Sequence, residues 1–398
     1  MISTATARRG AIAALALSAL ILAGCSSTNS TGDSTGDGGD GGAPNNLEAD
    51  IAALSVGTVD QFIEMSEVCP DDAEEMTVGV VDGYGTNTWS KTVLAEIESE
   101  AAKCPAITDV EFVAGRGDLE ATTSGITSLA AKGTDIILVI PDAGPGEAHL
   151  PAIRQATDAG SIVINFASDP QGEAGTDYLD YTDQIPQFVG QSKAQWVVDQ
   201  LGEEGGNVVF FGGPAGALVS SQEFEGAKEV FDANPQITLV NDEPITTNWD
   251  PAQAQQAMAG VLAQGTPIDA VIADYGASAS GIIRAYEAAG ETLPIITSTD
   301  DNSLSCGFAA LKEANPGYEL ATVSSRTWIG RVALRKAVAA FQGGSNAEPS
   351  LYELALYEDS TGTTDGAITP EEACLPDAPS DATPSTLLSS DEIQELFG

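Results

Sequence analysis

From Met76 onward the chain alternates short runs rich in Val, Ile and Phe with longer stretches whose apolar residues recur every three or four positions. The first pattern marks buried strands and the second amphipathic helices, and regular alternation of the two is the signature of parallel sheets with crossover helices. Strands are predicted at residues 77–82, 110–114, 135–140, 161–166, 207–211, 237–241, 268–273 and 294–299. Leu94, Ile97 and Ala101 carry the helical spacing after the first strand, and Ile282, Ile283, Tyr286 and Ala289 carry it after the seventh. Residues 169–188, rich in Asp, Gly, Gln and Pro, interrupt the rhythm midway. Eight units exceed one ordinary doubly wound sheet, so the pattern predicts an α/β protein of two Rossmann-like lobes. A single β/α barrel would also use eight units, but it accommodates neither the broken middle nor further strand-like stretches at 319–324 and 351–356.

The first 46 residues have no place in that rhythm. Arg8 and Arg9 precede a small apolar run from Ala11 to Ala23, too short for the roughly 20 residues that span a bilayer and suited to a cleaved export signal over residues 1–24. The run ends in Leu22-Ala23-Gly24-Cys25, which resembles the lipobox of bacterial lipoproteins and implies lipidation of Cys25. Residues 25–46 then read as a tether of Ser, Thr, Gly, Asp and Asn, with a root-mean-square reach of about 25 Å. Residues 47–75 form an acidic preamble.

A formal charge of −44, from 59 acidic against 15 basic residues, excludes nucleic-acid binding, which needs clustered Lys and Arg. It predicts a solvated acidic shell. Cys69, Cys104, Cys306 and Cys374 make an even set for an exported protein, and proximity favours Cys69 with Cys104 and Cys306 with Cys374. The absence of a C-x-x-C pair and the single histidine, His149, argue against zinc and against Ser-His-Asp or Cys-His catalysis. No cofactor or metal is expected. Residues 361–372 faintly resemble a calcium loop, but Thr361 and Thr363 replace its leading carboxylates, and the segment is read as part of a last strand and crossing.

Four motifs then resemble one family, the ribose-binding-like periplasmic sugar receptors of ABC importers, or type I solute-binding proteins. Val78-Gly79-Val80-Val81-Asp82 with Asn87-Thr88-Trp89 is similar to the family's first strand and its ligand-facing Asn-Pro-Phe turn. Gly133-Thr134-Asp135 running into a strand that ends at Pro141 resembles its proline-terminated strand. The glycines and small residues from Gly276 to Gly281 resemble the helix after the seventh strand, and Thr299-Asp300 resembles the strand end that carries a sugar-binding aspartate. The resemblance implies two lobes joined by a three-segment hinge that close on a ligand. It assigns 76–168 with a return near 300–325 to the first lobe, 169–299 with 326–358 to the second, and 359–398 to a final crossing and tail.

Ligands of open α/β sheets sit beyond the carboxyl ends of the strands, so the candidate site is Asn87, Trp89, Ser168, Asp169, Trp249, Asp274, Tyr275, Asp300 and Arg326. Trp89 and Trp249 would stack on a sugar ring, and Asp300 would bind vicinal hydroxyls. The chain departs from the family pattern where Phe166-Ala167-Ser168-Asp169 replaces an Asp-Arg pair, where Ser221 stands for an arginine and where Tyr275 falls near an asparagine. Those departures leave the sugar unspecified. The expected function is that of a non-enzymatic, monomeric receptor for a small polar ligand, anchored on the outer face of the membrane and serving an ABC permease and its ATPase. A sensor for a chemoreceptor or histidine kinase and an anchored glycosidase using paired carboxylates are the alternatives.

Overall fold

A computed structural model describes residues 47–397; the signal, Cys25 and the tether lie outside them. The chain opens with β1 (Val56–Gly57) and α1 (Met65–Val68), then alternates β2 (Met76–Asp82), α2 (Thr88–Ala101), β3 (Ile107–Ala114), α3 (Leu119–Lys132), β4 (Ile136–Ile140), α4 (Leu150–Asp158), β5 (Ile162–Phe166) and β6 (Asp180–Gln184). A second series follows, of α5 (Pro186–Leu201), β7 (Gly206–Gly212), α6 (Leu218–Asp232), β8 (Ile237–Leu239), β9 (Ile245–Thr246), α7 (Pro251–Leu262), β10 (Ala270–Ala273), α8 (Gly276–Ala289), β11 (Ile295–Thr299), α9 (Asn302–Ala314) and β12 (Leu320–Val323). Then come α10 (Ile329–Phe341), β13 (Leu351–Tyr352), β14 (Leu356–Asp359), α11 (Pro370–Ala373) and α12 (Ser390–Phe397).

Two sheets result, in the orders β1-β13-β6-β5-β4-β2-β3 and β14-β12-β11-β10-β7-β8, with β9 on the end of β7. All pairings are parallel except that of β12 with β14. Alternation along the strands places Val78 and Val80 in the core shared with α2 and α10, and Val81 in the core under α3 and α4. In the second sheet Val208 and Phe210 face α5 and α6, while Val209 and Phe211 face α7 and α8. Burial on both faces is what makes these strands read as continuous apolar runs. Among the described residues no helix is long and apolar enough to cross a membrane.

The expected lobe boundaries shift. Residues 180–184, expected in the second lobe, form β6 of the first sheet, whereas 300–325 do not return there: β11, α9 and β12 stay in the second lobe. The return is made by α10 and β13. The reason lies in side-chain partners. Strand β6 reads Asp-Tyr-Thr-Asp-Gln and gives no apolar signal, yet Asp180 is buried because Ser350 Oγ (2.6 Å) and the Leu54 amide (3.0 Å) donate to it. The expected single strand at 351–356 is two: β13 belongs to the first sheet and β14 to the second, and the chain crosses between them.

Helix α10 is buried from Ile329 to Ala340, including Arg331, Arg335 and Lys336. Arg331 binds Glu96 and Glu100 of α2, Arg335 binds Glu100 and Glu348, and Lys336 Nζ donates to the carbonyl of Ile51 in the preamble. Both disulfides join the expected partners, Cys69–Cys104 with Cα atoms 5.8 Å apart and Cys306–Cys374 with 4.7 Å. The loop that resembled a calcium site folds around one carboxylate instead. Asp359 accepts from the amides of Thr361, Thr363 and Thr364 and from the Trp196 indole, and hydroxyl and amide donors do there what a cation would. Glu358 points into the opposite interior, where burial pushes its carboxyl up to about 8.

Two outcomes are expected. Arg335→Met strands Glu100 and Glu348 without this partner and should cost about 3–5 kcal/mol, measured as a lowered urea midpoint. Glu358 carries a folded pKa above its unfolded value, so its contribution is fully present below about 4.5 and is lost as pH rises through about 8. Glu358→Gln removes that ionisation, and its melting temperature should gain on that of the unsubstituted protein across this interval; a constant difference would contradict the assignment.

Candidate functional site

The carboxyl ends of both sheets face one cleft, with about 740 Å³ of empty space including its open mouth. In each sheet the strand order reverses at one point. The chain leaves β2 to form β3 on one side and then β4 on the other; it leaves β7 to form β8 on one side and then β10 on the other. The crevice at such a reversal is left uncovered by crossover helices and is where doubly wound sheets bind ligands. Tyr84, Asn87, Trp89 and Asp142 come from the first crevice, and Trp249, Asp274 and Tyr275 from the second.

At the first crevice Asn87 caps α2 by accepting from the Ser90 amide at 2.7 Å, which fixes the turn that presents Trp89 to the cleft. The Trp89 indole donates to the Ser325 carbonyl at 2.8 Å, so its polar end is satisfied and its ring remains as wall. Asp142 stands two residues past β4, after Pro141. Its Oδ1 is buried without a protein partner, and burial together with the neighbouring Asp82 carboxylate raises its pKa well above the usual range.

At the second crevice Asp274 is 6% exposed. One oxygen, Oδ2, accepts from the Gly213 amide (2.9 Å), the Ser220 hydroxyl and the Trp249 indole (3.1 Å). The other, Oδ1, is buried and unpartnered. Burial raises this carboxyl despite those donors. Trp249 adopts φ +54°, and its ring lies against Gly213, where a Cβ would fall 2.2 Å from the indole; a glycine is required. The same ring meets Tyr84 edge-on at 6.1 Å between centroids, so an aromatic contact spans the two lobes.

At the hinge, Arg326 also takes a left-handed φ of +50° and lines the cleft. Its guanidinium is already engaged, with Nε on Asp183 and Nη2 on the Ala167 carbonyl at 3.2 Å. Glu223 of α6 is neutralised by Lys193, 2.8 Å away, whose Nζ also reaches the Ala273 carbonyl. The cleft therefore presents acceptor oxygens, aromatic faces and little unspent positive charge.

Seven of the nine residues expected from the sequence line this cleft: Asn87, Trp89, Ser168, Trp249, Asp274, Tyr275 and Arg326. Asp169 and Asp300 do not. Asp169 closes its own loop by accepting from the Gln171 amide. Asp300 is 1% exposed, with Oδ1 on the Ser325 amide and Oδ2 on the Ser385 amide at 2.6 Å. Residue 385 is 85 positions away, which is why the strand-end rule pointed to Asp300. Tyr84 and Asp142 obey that same rule, two residues past β2 and β4, and are not among the nine. Glu223 lies inside a helix, where no strand-end signal exists. Among the described residues no cluster of three or more His, Cys, Asp or Glu side chains is arranged to hold a metal ion.

The family model described as "periplasmic binding protein domain" matches residues 78–345. The D-allose-binding periplasmic protein of Escherichia coli K12 is 31% identical over 157 residues, 39% of this chain and 49% of that protein, so the chain spans about half of that relative's length. The D-xylose-binding periplasmic protein of the same organism is 26% identical over 260 residues, 63% of this chain and 73% of the relative. The arabinose-binding component of an ABC transporter from Shewanella sp. ANA-3 superposes with a TM-score of 0.62 at 21% identity, over 71% of this chain and 91% of that one. The match over residues 78–345, the two doubly wound lobes and the cleft at their facing switch points agree on one conclusion, that this chain belongs to the periplasmic binding protein domain family.

Proposed function

We infer that the protein is the extracytoplasmic receptor of an ABC-type importer and that it closes on one neutral sugar or similar polyol. The observation that carries this reading is the pair of buried, unpartnered carboxylate oxygens, Asp142 Oδ1 and Asp274 Oδ1, on residues that line, from opposite lobes, a cleft walled by Trp89 and Trp249. An unmet buried acceptor is costly, and a ligand with hydroxyl donors on two sides relieves both while its apolar ring face lies on an indole. Because Asp183 and Ala167 occupy Arg326, an anionic ligand finds no free counter-charge, and the cleft favours neutral sugars over their acids and phosphates. Relatives named for D-allose and D-xylose are consistent with a monosaccharide-sized ligand. Lipidation at Cys25 and the flexible tether would hold a monomeric receptor at the outer face of the cell membrane, within reach of a permease and its ATPase.

Thermal unfolding with a panel of neutral sugars, beginning with D-allose and D-xylose, tests the ligand class. A sugar at a hundredfold excess over its Kd should add about 2.7 kcal/mol of stability; shifts from amino acids or nucleosides, with none from sugars, would overturn the reading. Asp274→Asn should weaken the binding of the active sugar about 10- to 100-fold by titration calorimetry, the loss of a charge-assisted hydrogen bond worth about 1.5–3 kcal/mol, and Asp142→Asn up to about 10-fold, the loss of a neutral one worth about 0.5–1.5 kcal/mol. Equal affinity in both variants would remove these carboxylates from the site.

A further inference from the structure

Three segments of chain cross between the lobes: β6 to α5, β12 to α10, and β13 to β14. Residues 375–397 make a fourth bridge, whose far end is held by hydrogen bonds and the burial of Leu388, without a covalent tie. Cys374 is bonded to Cys306 of α9, which roots the segment on the second lobe. The following loop then caps α9. Asn302 Nδ2 donates to the Leu375 and Pro379 carbonyls at 2.9 and 3.1 Å, and the amides of Asn302 and Ser303 donate to Ala382 and Ser380. Ser385 completes this half, its amide on Asp300 and its hydroxyl 2.7 Å from that of Ser324.

The next two residues belong to the other lobe. Thr386 Oγ1 and the Leu387 amide donate to Glu96 Oε1 of α2 at 2.6 and 2.7 Å, and Glu392 of α12 bonds Ser99 of the same helix. Asp381 accepts from Thr88, which lies between the cleft residues Asn87 and Trp89. Ala382, Thr383 and Leu388 are buried along the way, so the segment is seated in both lobes rather than lying on one. Moving α2 away from Asp300 and Asn302 requires breaking either the Glu96 and Thr88 contacts or those at Asp300.

We propose that residues 375–397 are an inter-lobe strap that restrains the opening of the cleft. Two consequences follow. The strap reduces the population of the open form, so less of the ligand's binding free energy is spent on closing the hinge. It also takes Asp300 out of the cleft and makes it a positioning residue, since one carboxylate joins the strap to Ser325, whose carbonyl holds Trp89. The strap rests on the cleft being one that opens, not on the identity of the ligand, so a failed sugar panel leaves it untouched.

The test uses the full, ligand-free chain. Nitroxides at positions 120 and 287, both exposed and on opposite lobes, can be attached through a ketone-bearing amino acid that leaves the cysteines alone. Thr386→Val with Leu387→Pro, Asp381→Ala and Glu392→Ala removes the segment's hydrogen bonds to Glu96, Thr88 and Ser99 while retaining the disulfide and the cap of α9. Electron–electron resonance should then show the inter-label distance widening by more than about 2 Å, the scale of a true hinge rearrangement, and the distribution broadening. Superimposable distributions in the two proteins would overturn the strap. Hydrogen exchange on the unsubstituted chain gives an independent decision even should the variant fail to fold. The amides of Ser385 and Leu387 should exchange within about tenfold of those of Asn302 and Ser303, as parts of one cooperative unit; exchange of Leu387 at the rate of a free chain would overturn the proposal.

Discussion

The buried cations of α10 are the constraint on which the rest of the architecture depends. Arg331, Arg335 and Lys336 sit on a helix with no exposed face, and desolvating three positive charges costs several kcal/mol each unless every one meets a partner in good geometry. Their partners come from α2, from Glu348 before β13 and from the preamble carbonyl of Ile51. One helix thereby sets the positions of three parts of the chain that are remote in sequence. Apolar packing alone tolerates sliding; a planar guanidinium between two carboxylates does not. Because α10 begins three residues after Arg326, anchoring the helix also places Ser325 and Arg326, the hinge residues that line the cleft.

The cleft shows the opposite treatment of charge. In the α10 network the carboxylates are matched by cations; at the switch points Asp142 and Asp274 each keep one buried oxygen without a donor. Asp274 makes the distinction within a single side chain, with three donors on Oδ2 and none on Oδ1. Three donors on Oδ2 fix the orientation of the carboxylate, and with it the position of Oδ1, before anything binds. That is preorganisation, whose cost is met by folding rather than by association. Asp300, a strand-end acid of the same type, has both oxygens taken and is aimed at nothing in the cleft.

The segments that flank the repeated βα units are stitched in by the same means. The preamble adds an edge strand to the first sheet, joins it through β13 and is closed by the Cys69–Cys104 bond. Residues 375–397 begin at the Cys306–Cys374 bond and end on α2. Each disulfide shortens the excursion that such a segment makes when its hydrogen bonds open, which matters for stretches with few apolar side chains to bury.

The sequence by itself determined what local periodicity and local proximity encode. The eight predicted strands all exist; the central ones, such as β4 and β5, are buried on both faces and therefore apolar, whereas the edge strands β3 and β8 keep exposed polar positions, and the cysteines paired as near neighbours do. Strand ends placed Trp89, Trp249 and Asp274 on the cleft, since topology leaves those ends open. Only the tertiary structure decided matters in which a polar residue's partner is far along the chain. Strand β6 has acids at two of its five positions and became a buried strand through Ser350, Leu54 and Arg326. Residues 300–325 stayed with the second lobe because β11 and β12 complete its sheet, and the return fell to α10, whose cations find their carboxylates in the first. Asp300 left the cleft for Ser385. Hydrophobic burial is non-directional and legible from spacing, whereas a hydrogen bond or ion pair exists only once both partners have been brought to within about 3 Å, and that is decided by the fold as a whole.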